Sequence, residues 1–140
     1  MLPKESVDRL LALHDGLAVG PSEIPDIVRF RAGRWDVDLF VAKNEHDLEV
    51  LRRAQRVELG AVSIKVVTPE DLLIHKMRKL RVDRRKVLQD LADVAAIVRA
   101  RGSELERAYL DGWLTANERE VLDAAAHGDQ GEMLKRLGQL

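Results

Sequence analysis

The chain has 140 residues, a formal net charge of −1 and no cysteine. This length suits one domain whose core needs no disulfide or structural metal. Without cysteine there is no disulfide framework, thiol nucleophile or cysteine-ligated zinc. No apolar run reaches transmembrane length, and the N-terminus lacks a signal-peptide core. We therefore expect a soluble, cytoplasmic protein without a membrane partner.

The first half of the chain combines helical and strand patterns. It predicts, in chain order, a helix over about 4–17, strands at 27–31 and 36–42, a helix over about 44–54, and strands at 56–59 and 62–67. Asn44 is placed to cap its helix together with Asp47. The strand segments are separated by glycine-containing turns, so each neighbouring pair can form a hairpin.

The second half is helical. Its pattern predicts helices over about 69–81, 84–101, 104–112, 116–126 and 130–138. Thr68 is a suitable N-cap and Pro69 a suitable first helical residue. Capping-box spacing occurs at two later starts, Ser103 with Glu106 and Thr115 with Glu118. We expect an α+β fold with a small mixed sheet and a helical C-terminal half, in one domain over 1–140 divided near residue 68.

Lys76 is the most informative residue. At about 100° per residue it falls between Leu72 and Leu80, within the apolar stripe of its helix. A dry, unpaired ammonium group is costly, so its surroundings should supply an anion, water or a path to solvent. The alternative is that the stem lies along the core and the ammonium group reaches bulk solvent.

Asp90 interrupts the apolar pattern of the next helix. On the same angular scale it lies between Val94 and Ile97 at the rim of the core face, whereas Asp93 points further outward. An ordinary boundary carboxylate paired with a nearby arginine is the alternative interpretation.

Asp36 and Asp38 share one face of a predicted strand, because strand side chains alternate. Aspartate is depleted in strands. Carboxylates at i and i+2 can reach one Mg²⁺ ion, which takes oxygen ligands and often keeps water and substrate phosphates. Alternatively, both carboxylates point into water from an edge strand.

Other reaction classes are poorly supported. The four histidines are scattered without metal-ligand spacing, no serine lies in a nucleophile elbow, and no glycine-rich phosphate loop is present. Residues 76–86 form a basic stretch, which indicates either a solvated helix junction or a polyanion site. The low aromatic content argues against a stacking platform for single-stranded nucleic acid.

The order of three segments resembles the minimal nucleotidyltransferases of the polymerase-β-like fold, in particular AbiEii-type toxins and related small proteins. The segments are Val37-Asp38-Leu39-Phe40-Val41-Ala42, then Thr68-Pro69-Glu70-Asp71-Leu72-Leu73-Ile74-His75-Lys76, then Gln89-Asp90-Leu91-Ala92-Asp93-Val94. The resemblance covers roughly residues 27 to 100. The P-E-D-L-x-x-x-K element joined to D-L-x-D carries most of its specificity.

The resemblance implies a site for a nucleoside triphosphate and Mg²⁺. By resemblance, Asp38 is the third metal-side catalytic carboxylate; Asp36, on the same strand face, is a second candidate metal ligand. Lys76 contacts phosphate with Lys79 nearby, and Asp90 orients Lys76 or substrate. Positioning and charge neutralisation would then drive nucleotidyl transfer. A nucleic-acid acceptor such as tRNA would fit the family, although the net charge does not support it.

The family's main metal element, G-S followed by D-x-D, normally stands upstream of these segments. We expect that this chain lacks it, and so is truncated or degenerate and short of two of three catalytic carboxylates. The chain would then be a nucleotide- or partner-binding remnant without transfer activity, or transfer would require another polypeptide to supply the strand. Alternatively, Gly20-Pro21-Ser22 is a stretched version, Asp36 and Asp38 are the metal pair, and the chain is a working enzyme.

A sheet without its first strand exposes an edge, and exposed edges favour pairing. We therefore expect a homodimer or heteromer. The competing class is a non-catalytic interaction module, antitoxin-like or structural, in which the basic stretch 76–86 faces an acidic partner.

Overall fold

The computed structural model describes residues 2–3, 27–32 and 34–138, with side chains for residues 34–138. The helix predicted over 4–17 and the segment Gly20-Pro21-Ser22 lie outside these ranges. The chain divides into two compact units, Met1–Val66 and Val67–Leu140. The elements are β1 (Leu2–Pro3), β2 (Ile27–Ala32), β3 (Trp35–Ala42), α1 (Glu45–Arg53), β4 (Gln55–Leu59), β5 (Val62–Val66), α2 (Pro69–Val82), α3 (Val87–Arg101), α4 (Arg107–Trp113), α5 (Ala116–Ala126) and α6 (Gln130–Leu137).

The first unit contains a small mixed sheet. β3 is its central strand and pairs antiparallel with β2 and parallel with β1. Along β3 the exposed positions alternate with more buried ones, and Val41 and Ala42 are buried at its end. The predicted hairpin between the two strands is therefore confirmed.

Helix α1 and a second hairpin complete the first unit. The Asn44–Asp47 capping box is confirmed, because each side chain accepts a hydrogen bond from the backbone N–H of the other residue. β4 and β5 pair antiparallel around Gly60 and Ala61. Gly60 has a φ of 62°, a conformation that glycine adopts without the steric cost of a side chain. The turn therefore forms where the sequence indicates it.

The second unit consists of helices α2 to α6 around one hydrophobic core. Thr68 caps α2 and Thr115 forms a capping box with Glu118 at the start of α5, as predicted. Apolar residues from every helix contribute to the core: Leu73, Ile74, Met77, Leu80, Leu91, Val94, Ala95, Val98, Leu105, Leu110, Leu114, Val121, Leu122, Ala124, Ala125, Met133 and Leu137. With the sheet of the first unit, these helices confirm the predicted α+β class.

Two predicted helix starts are wrong. The Ser103–Glu106 capping box does not form, since α4 begins at Arg107 without a side-chain cap hydrogen bond. The backbone N–H of Glu106 donates instead to Oε1 of Glu70, 3.1 Å away. Helix α3 begins at Val87 and not at 84, because Asp83 accepts a hydrogen bond from the N–H of Arg85 and holds a turn there.

No helix within the described part of the chain has both the length and the apolarity that crossing a membrane requires.

Candidate functional site

The buried face of α2 positions Lys76 at the edge of the core. Leu73, Ile74, Met77 and Leu80 are fully buried, whereas Leu72 is only partly buried. The apolar stripe is thus centred on the four buried residues and not between Leu72 and Leu80. Lys76 lies at the rim of this stripe, and its side chain is 20% exposed. Its ammonium group can therefore meet polar groups of the neighbouring helix without entering the core.

Two carboxylates of α3 accept hydrogen bonds from Lys76. Its Nζ lies 2.8 Å from Oδ1 of Asp90 and 2.6 Å from Oδ2 of Asp93. Asp90 and Asp93 are three residues apart, and this spacing places two side chains on adjacent positions of one helix surface. The structure thus supplies anions to the ammonium group of Lys76. The alternative, in which this group reaches bulk solvent without a partner, does not apply.

Asp90 is the shared anion of the cluster. Its second oxygen, Oδ2, accepts a hydrogen bond from Nζ of Lys79 at 2.7 Å. The Asp90 side chain is only 2% exposed, while those of Lys79 and Asp93 are 34% and 44% exposed. Asp90 is therefore more deeply buried than we expect for a residue at the rim of the core face. We call Lys76, Lys79, Asp90 and Asp93 the lysine–aspartate cluster.

The cluster keeps its central groups ionised. Burial alone would lower the pKa of Lys76, but hydrogen bonds and charge attraction from Asp90 and Asp93 outweigh it and raise the pKa. Burial alone would raise the pKa of Asp90, and the hydrogen bonds from Lys76 and Lys79 outweigh it and lower the pKa. At neutral pH Lys76 is therefore a cation and Asp90 an anion.

Glu70 and Asp71, the acidic residues of the P-E-D element, hold the start of α2 in place. Asp71 is 1% exposed and accepts hydrogen bonds from Oγ1 of Thr68 at 2.8 Å and from the hydroxyl of Tyr109 at 2.7 Å. Glu70 accepts from the backbone of Glu106, as described above. Both acidic residues connect α2 to the segment around α4, so the element supports the helix that carries Lys76.

Arginines of the basic stretch 76–86 are occupied by groups of the second unit. Nε of Arg81 lies 3.1 Å from the buried carboxylate of Glu118. Arg85 pairs with Asp83 at 2.8 Å, and Arg78 lies over the ring of Trp113. Arg84 donates to the last carbonyl of α6, that of Leu137. For the four arginines of the stretch, these contacts favour the helix-junction interpretation.

Asp36 and Asp38 lie on the exposed face of β3, in the first unit. The strand register places Asp36 opposite Arg31 and Asp38 opposite Arg29. Among the residues whose side chains are described, no group of three or more His, Asp or Glu residues is arranged to hold a metal ion. The Mg²⁺ site at Asp36 and Asp38 stays a prediction.

A small mixed sheet, a helical second unit, and lysines of α2 paired with aspartates of α3 are the main features of this α+β fold. The chain belongs to the family described as nucleotidyl transferase of unknown function (DUF2204), whose model matches residues 44–138. That match includes the whole lysine–aspartate cluster and begins after Asp38. The more specific AbiEii-type assignment stays a prediction. Searches of curated proteins and of solved structures find no match.

Of the predicted site residues, the structure brings Lys76, Lys79 and Asp90 together within one cluster, and it places Asp36 and Asp38 on β3. Asp93 is not among the predicted site residues, because its angular position on the helix points outward. The signal that could have found it is the spacing itself: lysines at 76 and 79 match aspartates at 90 and 93. A long lysine side chain can reach an aspartate that the helix angle places outside the core.

Proposed function

We propose that this chain binds the phosphates of a nucleoside triphosphate through Lys76 and Lys79, as the phosphate-binding part of a nucleotidyltransferase-like domain. The observation that carries the proposal is the shared carboxylate of Asp90, which holds both ammonium groups within hydrogen-bond distance. Two cations fixed side by side are suited to a chain of phosphates, since positioning is what phosphoryl and nucleotidyl chemistry requires of a protein.

Membership of the nucleotidyltransferase-like family supports the same ligand class. Within the cluster, Asp90 is a positioning residue and the two lysines are the groups that would touch phosphate. The four side chains of the cluster by themselves support only phosphate binding. Transfer of a nucleotidyl group would in addition need carboxylate-held Mg²⁺, for which Asp36 and Asp38 are the candidates in this chain.

Replacing Lys76 tests the proposal. We expect millimolar ATP, GTP, CTP or UTP, with Mg²⁺, to raise the melting temperature of the wild-type chain, because a ligand that binds only the folded state stabilises it by mass action. In Lys76→Met the shift should disappear. The measurement is differential scanning fluorimetry of each variant with and without nucleotide, so an altered stability of the variant itself does not affect the result.

Lys135→Met is the matched control. Lys135 is an exposed lysine of α6 whose side chain is 68% exposed and lies 3.7 Å from Glu132. This variant should keep the full nucleotide shift, since it loses the same charge without altering the cluster. A wild-type chain that shows no shift with any of the four triphosphates would contradict the proposal.

A second candidate function is self-association through the β4–β5 hairpin, which would make the chain an interaction module. One face of this hairpin is apolar and exposed, with Leu59 and Val62 each 59% exposed. Strand alternation and the register of β4 with β5 place five apolar residues on that face: Val57, Leu59, Val62, Ile64 and Val66. Contiguous exposed apolar residues of this kind mark interaction surfaces more often than isolated ones do.

The charges of β4 point to a second copy of this chain as the partner. Among the described strands β4 pairs only with β5, so its other edge is open. If two β4 strands pair antiparallel about a two-fold axis at Val57, Arg56 of each copy lies opposite Glu58 of the other. Opposite charges in directly facing positions stabilise strand pairing, and a two-fold contact of this kind is self-complementary.

Charge reversal tests the second copy. We expect a dimeric mass in sedimentation equilibrium, a monomer for Arg56→Glu because like charges then face each other, and a restored dimer for Arg56→Glu combined with Glu58→Arg. Lys65→Glu, on the polar side of β5, should leave the mass unchanged. A wild-type chain that stays monomeric at all concentrations, or a double variant that does not recover, would rule out this pairing.

A further inference from the structure

Asp93 is held less firmly than Asp90, because it is more exposed and has fewer hydrogen-bond donors. Asp90 is almost fully buried and accepts from two lysines, whereas the Asp93 side chain is 44% exposed. Within the described residues, Asp93 makes a side-chain hydrogen bond to Lys76 alone. Only 20% of the Lys76 side chain is exposed, but Asp93 is in contact with water and is solvated when the two separate, so the pair contributes little to stability. The Lys76–Asp93 contact is therefore the one that can open without disturbing the core.

The charge of the cluster changes when that contact opens. With Asp93 in place, the two lysines and two aspartates sum to zero. With Asp93 turned into solvent, Lys76, Lys79 and Asp90 leave one positive charge, while Asp90 still fixes both ammonium groups. A carboxylate oxygen and a phosphate oxygen are equivalent acceptors for an ammonium donor, so the position vacated on Lys76 suits a phosphate oxygen.

We propose that Asp93 is a displaceable carboxylate that occupies the phosphate position on Lys76 until a polyphosphate exchanges with it. This inference rests on the proposed function, because it describes how that same site is opened. It assigns opposite roles to two aspartates of one helix: Asp90 positions the lysines, and Asp93 competes with the ligand. The ligand class is a linear polyphosphate, whether free or as part of a nucleotide.

Competition by Asp93 predicts that its removal strengthens binding. A ligand whose site is open only part of the time binds with an apparent affinity reduced by the open fraction. We expect Asp93→Asn to bind inorganic tripolyphosphate about fivefold more tightly than the wild type. This change corresponds to the strength of the Lys76–Asp93 ion pair, which the ligand must break in the wild type. Isothermal titration calorimetry at one fixed salt concentration measures the two dissociation constants. Asp93→Ser should behave like Asp93→Asn.

Asp123→Asn separates competition from a general change in charge. Asp123 is an exposed carboxylate of α5 whose side chain is 65% exposed and lies 3.3 Å from Arg107. Its loss changes the net charge by the same amount, so this variant should bind tripolyphosphate as the wild type does. Equal tightening in Asp123→Asn and Asp93→Asn would overturn the displacement, because the effect would then come from net charge.

The outcomes also distinguish this inference from the proposed function. If neither the wild type nor Asp93→Asn binds tripolyphosphate or ATP, the proposed function itself fails. If both bind with the same dissociation constant, the phosphate site stands and the displacement is wrong. Weaker binding by Asp93→Asn would also overturn it, since Asp93 would then be orienting Lys76 for the ligand.

Discussion

Asp90→Ala should lower the free energy of unfolding by about 3 kcal/mol, because it removes the buried carboxylate that Lys76 and Lys79 share and leaves Asp93 as the remaining anion of the cluster. Asp90 is the only member of the lysine–aspartate cluster that is nearly inaccessible, and both lysines donate to it. Their own partial exposure lets them recover some hydration, which places the loss at the low end of the range for buried pairs. Urea denaturation followed by circular dichroism measures the change.

Asp93→Ala provides the matched control, since it removes the same residue type one turn away on the same helix. Losing its part-buried contact with Lys76 should lower the free energy of unfolding by no more than about 1 kcal/mol, because Lys76 keeps its hydrogen bond to Asp90. A double-mutant cycle of Asp90→Ala with Lys79→Met should give a coupling energy of about 1–2 kcal/mol for residues in direct contact. Equal losses for the two aspartate variants would show that Asp90 has no special position in the cluster.

Stability should fall at both ends of the pH range, and Asp90 and Lys76 each contribute to one of the two losses. The folded chain lowers the pKa of Asp90 from 3.8, so its contribution is complete above that value and is lost as pH falls through the folded-state pKa. The folded chain raises the pKa of Lys76 from 10.5, so its contribution is complete below that value and is lost as pH rises through the folded-state pKa. The two contributions are together complete between about pH 4 and pH 10.

The acid limb is assigned by comparing variants, because the chain contains many other carboxylates. In Asp90→Asn the free energy of unfolding should vary less steeply with pH below about pH 4 than in the wild type, since one carboxylate with a lowered pKa is gone. Urea titrations at closely spaced pH values measure the slope. Superimposable acid limbs for the two chains would contradict the role given to Asp90.

The start of α4 shows where prediction from sequence fails. Ser103 and Glu106 have the spacing of a capping box, as do Thr115 and Glu118, yet only the second pair forms one. Capping depends on groups within a few residues, so it can be predicted wherever nothing else competes for the backbone. At Glu106 the carboxylate of Glu70, 36 residues earlier, accepts the N–H group. A pattern of neighbouring residues cannot predict a competing acceptor that lies so far away along the chain.

The candidate site, too, could be predicted only in part from the sequence. The sequence identifies Lys76 and Asp90 as polar residues that interrupt apolar faces, because that judgement needs only the helical period. It does not reveal that Lys79 also donates to Asp90, or that Asp93 reaches Lys76. Those contacts join residues 11 and 17 positions apart. They depend on how α2 and α3 lie against each other.

The sequence by itself determined the α+β class, the order of the elements from β2 to α6, three of the four predicted helix caps and the two residues at the centre of the cluster. Each of these follows from side-chain periodicity or from hydrogen bonds between near neighbours. Only the tertiary structure decided which carboxylate each lysine meets and how deeply each is buried. The physical reason is that an ion pair between helices is set by the packing of their shared core, which fixes the distance between side chains that the chain itself keeps far apart.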